Sequence, residues 1–351
     1  MNVLVAMSGG VDSSVAAALL LDEGHDVVGV TMKLWGGESD SGCCSAADVD
    51  DARRVAQQLG IDHVVFNFTA EFDDRVVAPY VADHAAGRTP NPCIECNRHL
   101  KFDRLLARAE QLGFDALATG HHARTGRDEA TGRWWLGRGV DRAKDQSYVL
   151  HVLGQHQLAR LRFPVGTWHK ADLRRRAAEL GLRTSTKPDS QDVCFITSTG
   201  GRRAFLGDRI AVRPGRVVDT DGREVGEVPA VELVTVGQRR GLGGLGGGAT
   251  RYALDVDVET GVVVVGPPEA LLVEEQAVGA VGWVDEPCAG PVLVQCSAHG
   301  TPRPAEAVPD GDHVRLRWAT PQRRVAPGQS VVLYDLADER VLGGGTALAR
   351  R

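Results

Sequence analysis

The stretch Met1-Asn-Val-Leu-Val-Ala-Met-Ser-Gly-Gly-Val-Asp-Ser-Ser14 decides the fold of this chain. Residues 2–6 form a short apolar run, which is typical of a buried β-strand. The glycines at 9 and 10 let the backbone approach an anion, because consecutive N–H groups can form a concave binding site. The Ala- and Leu-rich residues 15–22 then predict a helix whose positive N-terminus faces the same anion. The stretch therefore predicts a phosphate-binding turn, and it is not a Walker A motif because no Gly-Lys-Ser/Thr follows.

The pattern continues in the same way along the first 200 residues and then changes. Strand patterns at 26–32, 63–68 and 116–119 alternate with helix patterns at 48–59, 72–86, 101–112 and 172–180. This alternation predicts an α/β domain with a parallel, Rossmann-like sheet. From about residue 205, Gly and Val dominate and short β-like runs appear, at 216–218, 231–236, 253–258, 262–265, 277–283, 292–297, 313–318 and 329–334. We expect domains at 1–203 (α/β), 204–272 (small and β-rich) and 273–351 (a β-barrel).

The composition limits the classes of protein to which this chain can belong. Hydrophobic residues make up 43% of the 351 residues and charged residues 25%, which is typical of a globular protein. No run of eighteen apolar residues predicts a membrane helix, and the N-terminus has no signal-peptide pattern, so we expect a cytoplasmic protein. The net charge of −6 argues against indiscriminate binding of nucleic acid. Local basic clusters still occur, at 98–108, 124–144, 202–216 and 315–324, and each is compatible with RNA contact or with a solvated face.

Three of the seven cysteines stand in polar, proline-containing stretches. Cys93 and Cys96 lie within Thr89-Pro-Asn-Pro-Cys-Ile-Glu-Cys-Asn97. The two prolines predict a stiff loop with no helix before Asn97, which would leave Cys96 close to a helix N-terminus. Cys194 ends the similar string Lys187-Pro-Asp-Ser-Gln-Asp-Val-Cys194. Cys43 and Cys44 are interpreted as packing or loop residues, and Cys288 and Cys296 as core residues of β segments.

These strings resemble a known group of enzymes. Ser8–Ser14 is similar to the PP-loop of ATP pyrophosphatases, and the whole set resembles the bacterial tRNA-specific 2-thiouridylases (MnmA type). Further matching strings include Met32-Lys33, Gly42–Ser45, Thr119–His121, Lys144–Tyr148, Phe163-Pro164, Val236–Leu242, Ala326–Gln329 and Leu342–Gly345. The resemblance therefore covers the whole chain.

The resemblance implies an ATP-dependent tRNA-uridine 2-sulfurtransferase. Such enzymes adenylate O2 of the wobble uridine, and a persulfide sulfur then displaces AMP at C2. Cys194 would carry the persulfide, Cys96 would be the nucleophile, and Cys93 stands where well-studied relatives have an acid/base Asp. ATP, with Mg²⁺, would bind at Ala6, Met7, Ser8, Gly9, Gly10, Val11, Asp12, Ser13, Met32 and Gly120. The tRNA would contact Asn91, Pro92, Cys93, Lys144, Asp145, Gln146, Arg315 and Leu316.

The partners implied are tRNAs for Lys, Glu and Gln and a cysteine desulfurase or sulfur-relay protein, with no membrane. Because Cys93 replaces Asp, a second mechanism stays open in which Cys93, Cys96 and Cys194 ligate a [4Fe–4S] cluster. Another adenylating PP-loop synthetase and a non-enzymatic RNA-binding protein are the alternative functions. The chain has only five lysines against 35 arginines. Four of the five lie in the matched strings or directly after one, so we expect these four to mark the active face; Lys170 lies outside the matched strings.

Overall fold

Three sheets organise the chain. The structure is a computed structural model that describes residues 1–35, 46–189, 193–196, 201–243 and 250–349. Cys43 and Cys44 lie outside the described residues. Within the described ranges, no helix is long and apolar enough to cross a membrane.

The first sheet is parallel and has the strand order β3-β2-β1-β4-β7. Its strands are β1 (Asn2–Ala6), β2 (Asp26–Lys33), β3 (Asp62–Asn67), β4 (Ala116–Thr119) and β7 (Leu161–Arg162). The chain runs outward from β1 through β2 to β3 and then returns to the other side of β1 with β4. In open α/β sheets, ligands bind at the carboxyl ends of the strands where the order reverses in this way. The fold therefore puts a binding crevice at the ends of β1 and β4.

The helices of this domain bury apolar residues against the sheet. They are α1 (Val11–Asp22), α2 (Ala46–Leu59), α3 (Thr69–Phe72), α4 (Ala78–Ala85), α5 (Pro92–Glu95), α6 (Leu106–Gln111), α7 (Gln155–Arg160), α8 (Lys170–Glu179) and α9 (Gly201–Gly207). Residues 73–77 and 96–105 are π-helical and join α3 to α4 and α5 to α6. Short 3₁₀ turns span Ser147–Leu150, Pro164–Thr167, Arg183–Thr186, Val231–Leu233 and Pro268–Leu271.

Two helix starts differ from the sequence prediction. Helix α1 begins at Val11 and not at 15, because the hydroxyls of Ser13 and Ser14 donate to the Gly10 carbonyl and fit the first turn. The predicted absence of a helix before residue 97 is wrong: helical structure begins at Pro92. A proline is tolerated at the first helical position, where its missing N–H has no intrahelical acceptor.

The second and third sheets contain the β-rich half of the chain. The second has the order β10-β11-β8-β9, with β8 (Gly215–Val218), β9 (Glu224–Val228), β10 (Tyr252–Asp257) and β11 (Val262–Gly266). The third is a closed barrel of β12 (Leu272–Trp283), β13 (Gly290–Gln295), β14 (Arg303–Asp310), β15 (His313–Arg323), β16 (Ser330–Tyr334) and β17 (Arg340–Ala347), in which β12 pairs with both β15 and β17. The predicted fold class is confirmed. The strand predicted at 231–236 is wrong, because residues 231–233 form a 3₁₀ turn.

A hairpin of the first half of the chain extends the barrel sheet. Its strands are β5 (Ala123–Arg127) and β6 (Trp134–Arg138), and β6 pairs with β17. At its end, the Arg138 guanidinium donates to Asp145 and Asp338 and stacks on the Tyr334 ring at 3.7 Å. Arg138 is 5% exposed. This buried junction fixes the barrel against the ATP-binding domain.

Candidate active site

The turn after β1 is built for close approach of an anion. Gly9 has a φ of +71°, and a Cβ there would lie 2.4 Å from the Asp48 carbonyl oxygen. Only glycine fits this combination of backbone angle and space. The Ser13 hydroxyl accepts a hydrogen bond from the Ser8 N–H at 3.1 Å, which closes the turn over the start of α1. The first helical N–H groups thus face the crevice at the end of β1.

The predicted nucleotide residues come together from three strand ends. Ala6 ends β1, Met32 is buried near the end of β2, and Gly120 follows β4. A Cβ at Gly120 would lie 2.6 Å from the Ser13 backbone nitrogen, so this glycine permits close contact of β4 with the turn. The sequence prediction of one contiguous nucleotide site is therefore compatible with the geometry.

Lys170 is the site residue that the sequence analysis missed. It begins α8, and its Nζ donates to both oxygens of Asp12 at 2.7 Å. His122, which is also buried, lies 3.2 Å from the same carboxylate. Burial alone would raise the pKa of Asp12, but the hydrogen bonds from His122 and Lys170 outweigh that effect and lower the pKa below its usual value. Lys170 belongs to the active face, and the rarity of lysine in this Arg-rich chain was the available signal.

The turn between β1 and α1, residues 7–10, is called the ATP turn. The string that leads to Cys194 contacts this turn and its surroundings through Lys187 and Asp189. Lys187 donates to the Gly9 carbonyl at 3.0 Å and to Asp48 and Asp51 of α2 at 2.6 and 2.8 Å. Asp189 accepts from Lys144 at 2.8 Å and lies 3.0 Å from the Lys170 Nζ. Three of the five lysines thus converge around one turn.

Asp189 has the most strongly shifted carboxyl in this cluster. Burial opposes ionisation, but hydrogen bonds from Lys144 and Lys170 lower the pKa of Asp189 far below its usual range. Arg174 of α8 adds a further hydrogen bond at 2.6 Å. The carboxylate therefore stays ionised and links α8 to the segment before Cys194.

The cysteine pair lies on the helical segment that begins at Pro92. The Asn91 side chain caps it by accepting from the Cys93 N–H at 3.1 Å. Cys93 is in the first turn and half-buried, whereas Cys96 is one turn further and buried. The expectation that Cys96 lies at a helix N-terminus is wrong, because that position belongs to Cys93.

Both β-rich units hold the segment before this helix. The Thr89 N–H donates to the Pro327 carbonyl of the barrel at 2.8 Å, and its hydroxyl hydrogen-bonds with that of Thr235 at 3.1 Å. A Cβ at Gly328 would lie 2.9 Å from the Thr89 nitrogen. The matched string 326–329 therefore has a structural role in placing the cysteine helix.

Cys194 packs against the hydrophobic cluster that contains Cys96. Among the described residues, however, no three His, Cys, Asp or Glu side chains are grouped as metal ligands. Cys93, Cys96 and Cys194 all belong to the described residues and form no such group with one another, so the cluster alternative is not favoured. Burial raises the pKa of the Cys288 and Cys296 thiols, that of Cys296 to about 12. Both pack on the barrel core, but the prediction that they are core residues of β segments is wrong, because both are only partly buried and lie just outside β13.

The predicted tRNA residues differ in what they offer to a ligand. Lys144 is 42% exposed in its side chain. The Asp145 carboxylate is enclosed by Arg138, Ser147 and the Gly139 N–H.

Gln146 is engaged in the same region, since its side chain accepts from the His122 N–H. On β15, Arg315 is partly exposed, with 39% of its side chain accessible, and pairs with Asp310, whereas Leu316 is fully buried in the barrel. Asp145, Gln146 and Leu316 thus have structural contacts for their side chains, and the accessible cations are Lys144 and Arg315.

A parallel sheet with a Ser-Gly-Gly-Val-Asp-Ser turn at its switch point defines a PP-loop nucleotide-binding domain. Comparison with known proteins supports this assignment and covers the other two domains as well. Family models match residues 1–198 (tRNA methyl transferase HUP domain), 203–267 (tRNA methyl transferase PRC-barrel domain) and 275–347 (aminomethyltransferase beta-barrel domain).

Full-length relatives narrow the class to one family. The tRNA-specific 2-thiouridylase MnmA of Chloroflexus aggregans is 49% identical over 98% of this chain and 97% of that protein. That of Mycolicibacterium smegmatis is 48% identical over 100% of both. The chain belongs to the tRNA-specific 2-thiouridylase family, and the resemblance seen in the sequence is confirmed. A solved 4-thiouridine synthetase–RNA complex with bound ATP aligns at 20% identity, with a TM-score of 0.37, over 55% of this chain and 44% of that one.

Proposed function

We propose that this protein is a tRNA 2-thiouridylase that uses ATP to exchange O2 of the wobble uridine for sulfur. One observation carries the proposal beyond family membership. The segment that begins at Lys187 contacts the ATP turn through the Gly9 carbonyl and carries Cys194, which packs on the same cluster as Cys96. Activation by ATP and sulfur delivery by cysteines are thus joined by one short segment.

The ATP turn activates the substrate in this proposal. The phosphates lie against the N–H groups of the turn and of α1, where the helix N-terminus favours negative charge. A Mg²⁺ ion bound to ATP usually takes one or two carboxylates besides phosphate and water. Asp12, at the start of α1, would supply one of them by exchanging part of its contact with Lys170 for the metal. Transfer of AMP to O2 of the uridine releases pyrophosphate and makes the oxygen a good leaving group.

The cysteines then exchange the sulfur. The terminal sulfur of a Cys194 persulfide bonds to C2, and the bond from C2 to the adenylated oxygen breaks so that AMP leaves. The Cys96 thiolate attacks the Sγ of Cys194, which leaves the sulfur on the base and forms a Cys96–Cys194 disulfide. A dithiol reductant restores both thiols, and a cysteine desulfurase or relay protein reloads Cys194.

Cys93, in the first turn of the cysteine helix, takes the position of the family's acid/base residue. We propose Lys144 and Arg315 as phosphate contacts and Asn91 and Pro92 as contacts of the base. The tRNAs for Lys, Glu and Gln are the proposed substrates, and the cytoplasm is the proposed location.

The test is a reconstituted thiolation assay. Unmodified tRNA is incubated with ATP, Mg²⁺, cysteine, a cysteine desulfurase and a reductant, and the digested nucleosides are examined for 2-thiouridine by mass spectrometry. We expect the product with the wild type and with Cys288→Ser, and none with Cys96→Ser or Cys194→Ser. Release of AMP with another substrate and no thiolated nucleoside would favour a different PP-loop synthetase.

A further inference from the structure

Cys194 occupies a tight turn with an unusual backbone. The Ile196 N–H donates to the Val193 carbonyl at 3.1 Å, so Cys194 and Phe195 are the two central residues of the turn. Val193 has a φ of +57°, in the left-handed region that β-branched residues rarely adopt. Such a conformation persists only where surrounding contacts determine it. We call residues 193–196 the Cys194 turn.

The contact that determines the turn is the burial of Phe195 in an aromatic socket. Phe195 is 5% exposed, and its ring is surrounded by four others. The centroid distances are 5.0 Å to Phe205, 5.5 Å to Tyr80, 5.6 Å to Phe72 and 6.1 Å to Trp35. Aromatic residues are only 5% of the chain, so a group of five, made of Phe195 and these four rings, is a notable concentration. We call these four rings the Phe195 socket.

The socket belongs to the part of the core that holds the cysteine helix. Phe72 and Tyr80 lie in the same buried cluster as Cys96. Phe195 itself belongs to this cluster, so a side chain seated in the socket is packed into the same core as Cys96.

The two central residues of a tight turn cannot move independently. Because Phe195 is buried and Cys194 is half-buried, seating of the ring determines the direction of the neighbouring thiol. The other end of the segment is tied by ion pairs of Lys187 and Asp189, which do not constrain the Cys194 turn directly.

We propose that Phe195 is a positioning residue that holds Cys194 against Cys96 for sulfur transfer and takes no part in the ATP step. The inference rests on the proposed function, since it assigns Phe195 to the second half of that reaction. It predicts that loss of the ring separates the two halves: adenylation continues, and sulfur transfer slows.

The test compares Phe195→Leu with Leu158→Ala. Leu158 lies in α7, is fully buried, and belongs to the same cluster. Its truncation removes at least as much packing as Phe195→Leu, at a position outside the Phe195 socket. The first readout needs no tRNA: reduced protein is treated with diamide, which takes up two electrons and two protons as the Cys96–Cys194 disulfide forms. Remaining thiols are alkylated, and the disulfide is quantified by peptide mass spectrometry. The second and third readouts are AMP formation and 2-thiouridine formation with tRNA.

We expect Phe195→Leu to slow disulfide formation and thiolation by tenfold or more, with AMP formation within twofold of the wild type. Leu158→Ala should lower the melting temperature and leave both cysteine readouts within twofold. Wild-type disulfide and thiolation rates in Phe195→Leu, or an equal loss in Leu158→Ala, overturn the inference. If the wild type makes no 2-thiouridine, the proposed function fails, and the disulfide rates still decide whether Phe195 positions Cys194.

Discussion

Lys170 offers the sharpest test of the site, because it is the cation shared by the ATP turn and the Cys194 segment. Its Nζ lies 2.7 Å from Asp12 and 3.0 Å from Asp189, and its side chain is 11% exposed. Replacement of Lys170 by Met keeps the apolar stem and removes the charge. The two carboxylates then lose their common partner.

The expected change in the free energy of unfolding follows from the geometry of the ion pair. Two unit charges 2.7 Å apart interact by about 6 kcal/mol at an effective dielectric constant of about 20. Desolvation of the ammonium offsets part of this, and removal of one partner from a fully buried pair typically costs about 3–5 kcal/mol. Asp12 keeps its contact with His122, and its side chain is 28% exposed, so the cost falls below that range. We expect Lys170→Met to lower the free energy of unfolding by about 2–3 kcal/mol at pH 7.

The assay is a double-mutant cycle with Lys170→Met and Asp12→Asn, measured by urea unfolding at pH 7. The two single variants and the double variant should give a coupling energy of about 2 kcal/mol, since the ion pair is counted only once. Lys187→Met with Asp12→Asn is the control cycle, because Lys187 binds Gly9, Asp48 and Asp51 and not Asp12. A coupling below about 0.5 kcal/mol in the first cycle, or equal coupling in both, would refute the pairing of Lys170 with Asp12.

Three further predictions concern other parts of the molecule. Lys187→Arg should slow thiolation about tenfold in the nucleoside assay, because a planar guanidinium cannot serve three acceptors that converge on one nitrogen. Lys144 has a single ion-pair partner and a more exposed side chain, so Lys144→Arg should keep most of the rate. Gly9→Ala should abolish ATP-dependent AMP release, since its Cβ would collide with the Asp48 carbonyl, and a wild-type rate would contradict the geometry of the turn. Burial, assisted by the charge of Arg202, lowers the pKa of His84 to about 4, so the folded state resists protonation and stability is lost as the pH falls below 6.5. His84→Asn should therefore remove about 2 kcal/mol of the stability change between pH 7 and pH 5, as measured by urea unfolding, and an unchanged pH dependence would exclude this role.

The sequence predicted the parts of the site whose signals are local. The Gly-Gly turn sits between an apolar strand and a helix within fourteen residues, so strand, turn and helix can be recognised together. The same holds for the parallel sheet, because each crossover repeats one strand pattern and one helix pattern. The start of the cysteine helix was missed, since the two prolines were taken as loop-formers and Pro92 occupies the one helical position that suits it.

The remaining features depend on residues that are distant in the chain. Lys170 meets Asp12 across 158 residues, and no local pattern around either residue indicates the other. The hairpin β5–β6 joins β17 across about 200 residues, so the pattern of the hairpin alone could not assign it to the barrel sheet. Pairings of this kind follow from the complete fold and not from periodicity.

The contacts of Thr89 show that the β-rich half of the chain helps to position the cysteine helix. The Thr89 N–H is bonded to the barrel and its hydroxyl to the central unit, two residues before the cap of the cysteine helix and four before Cys93. The Arg138 junction fixes the barrel to the ATP-binding domain independently. The barrel is therefore held at two places. Arg138 joins it to the first domain, and Thr89 joins it to the segment before the cysteines. Because interiors are close-packed and transmit strain, we expect that a ligand bound to the barrel would act on the same contacts that position Cys93 and Cys96.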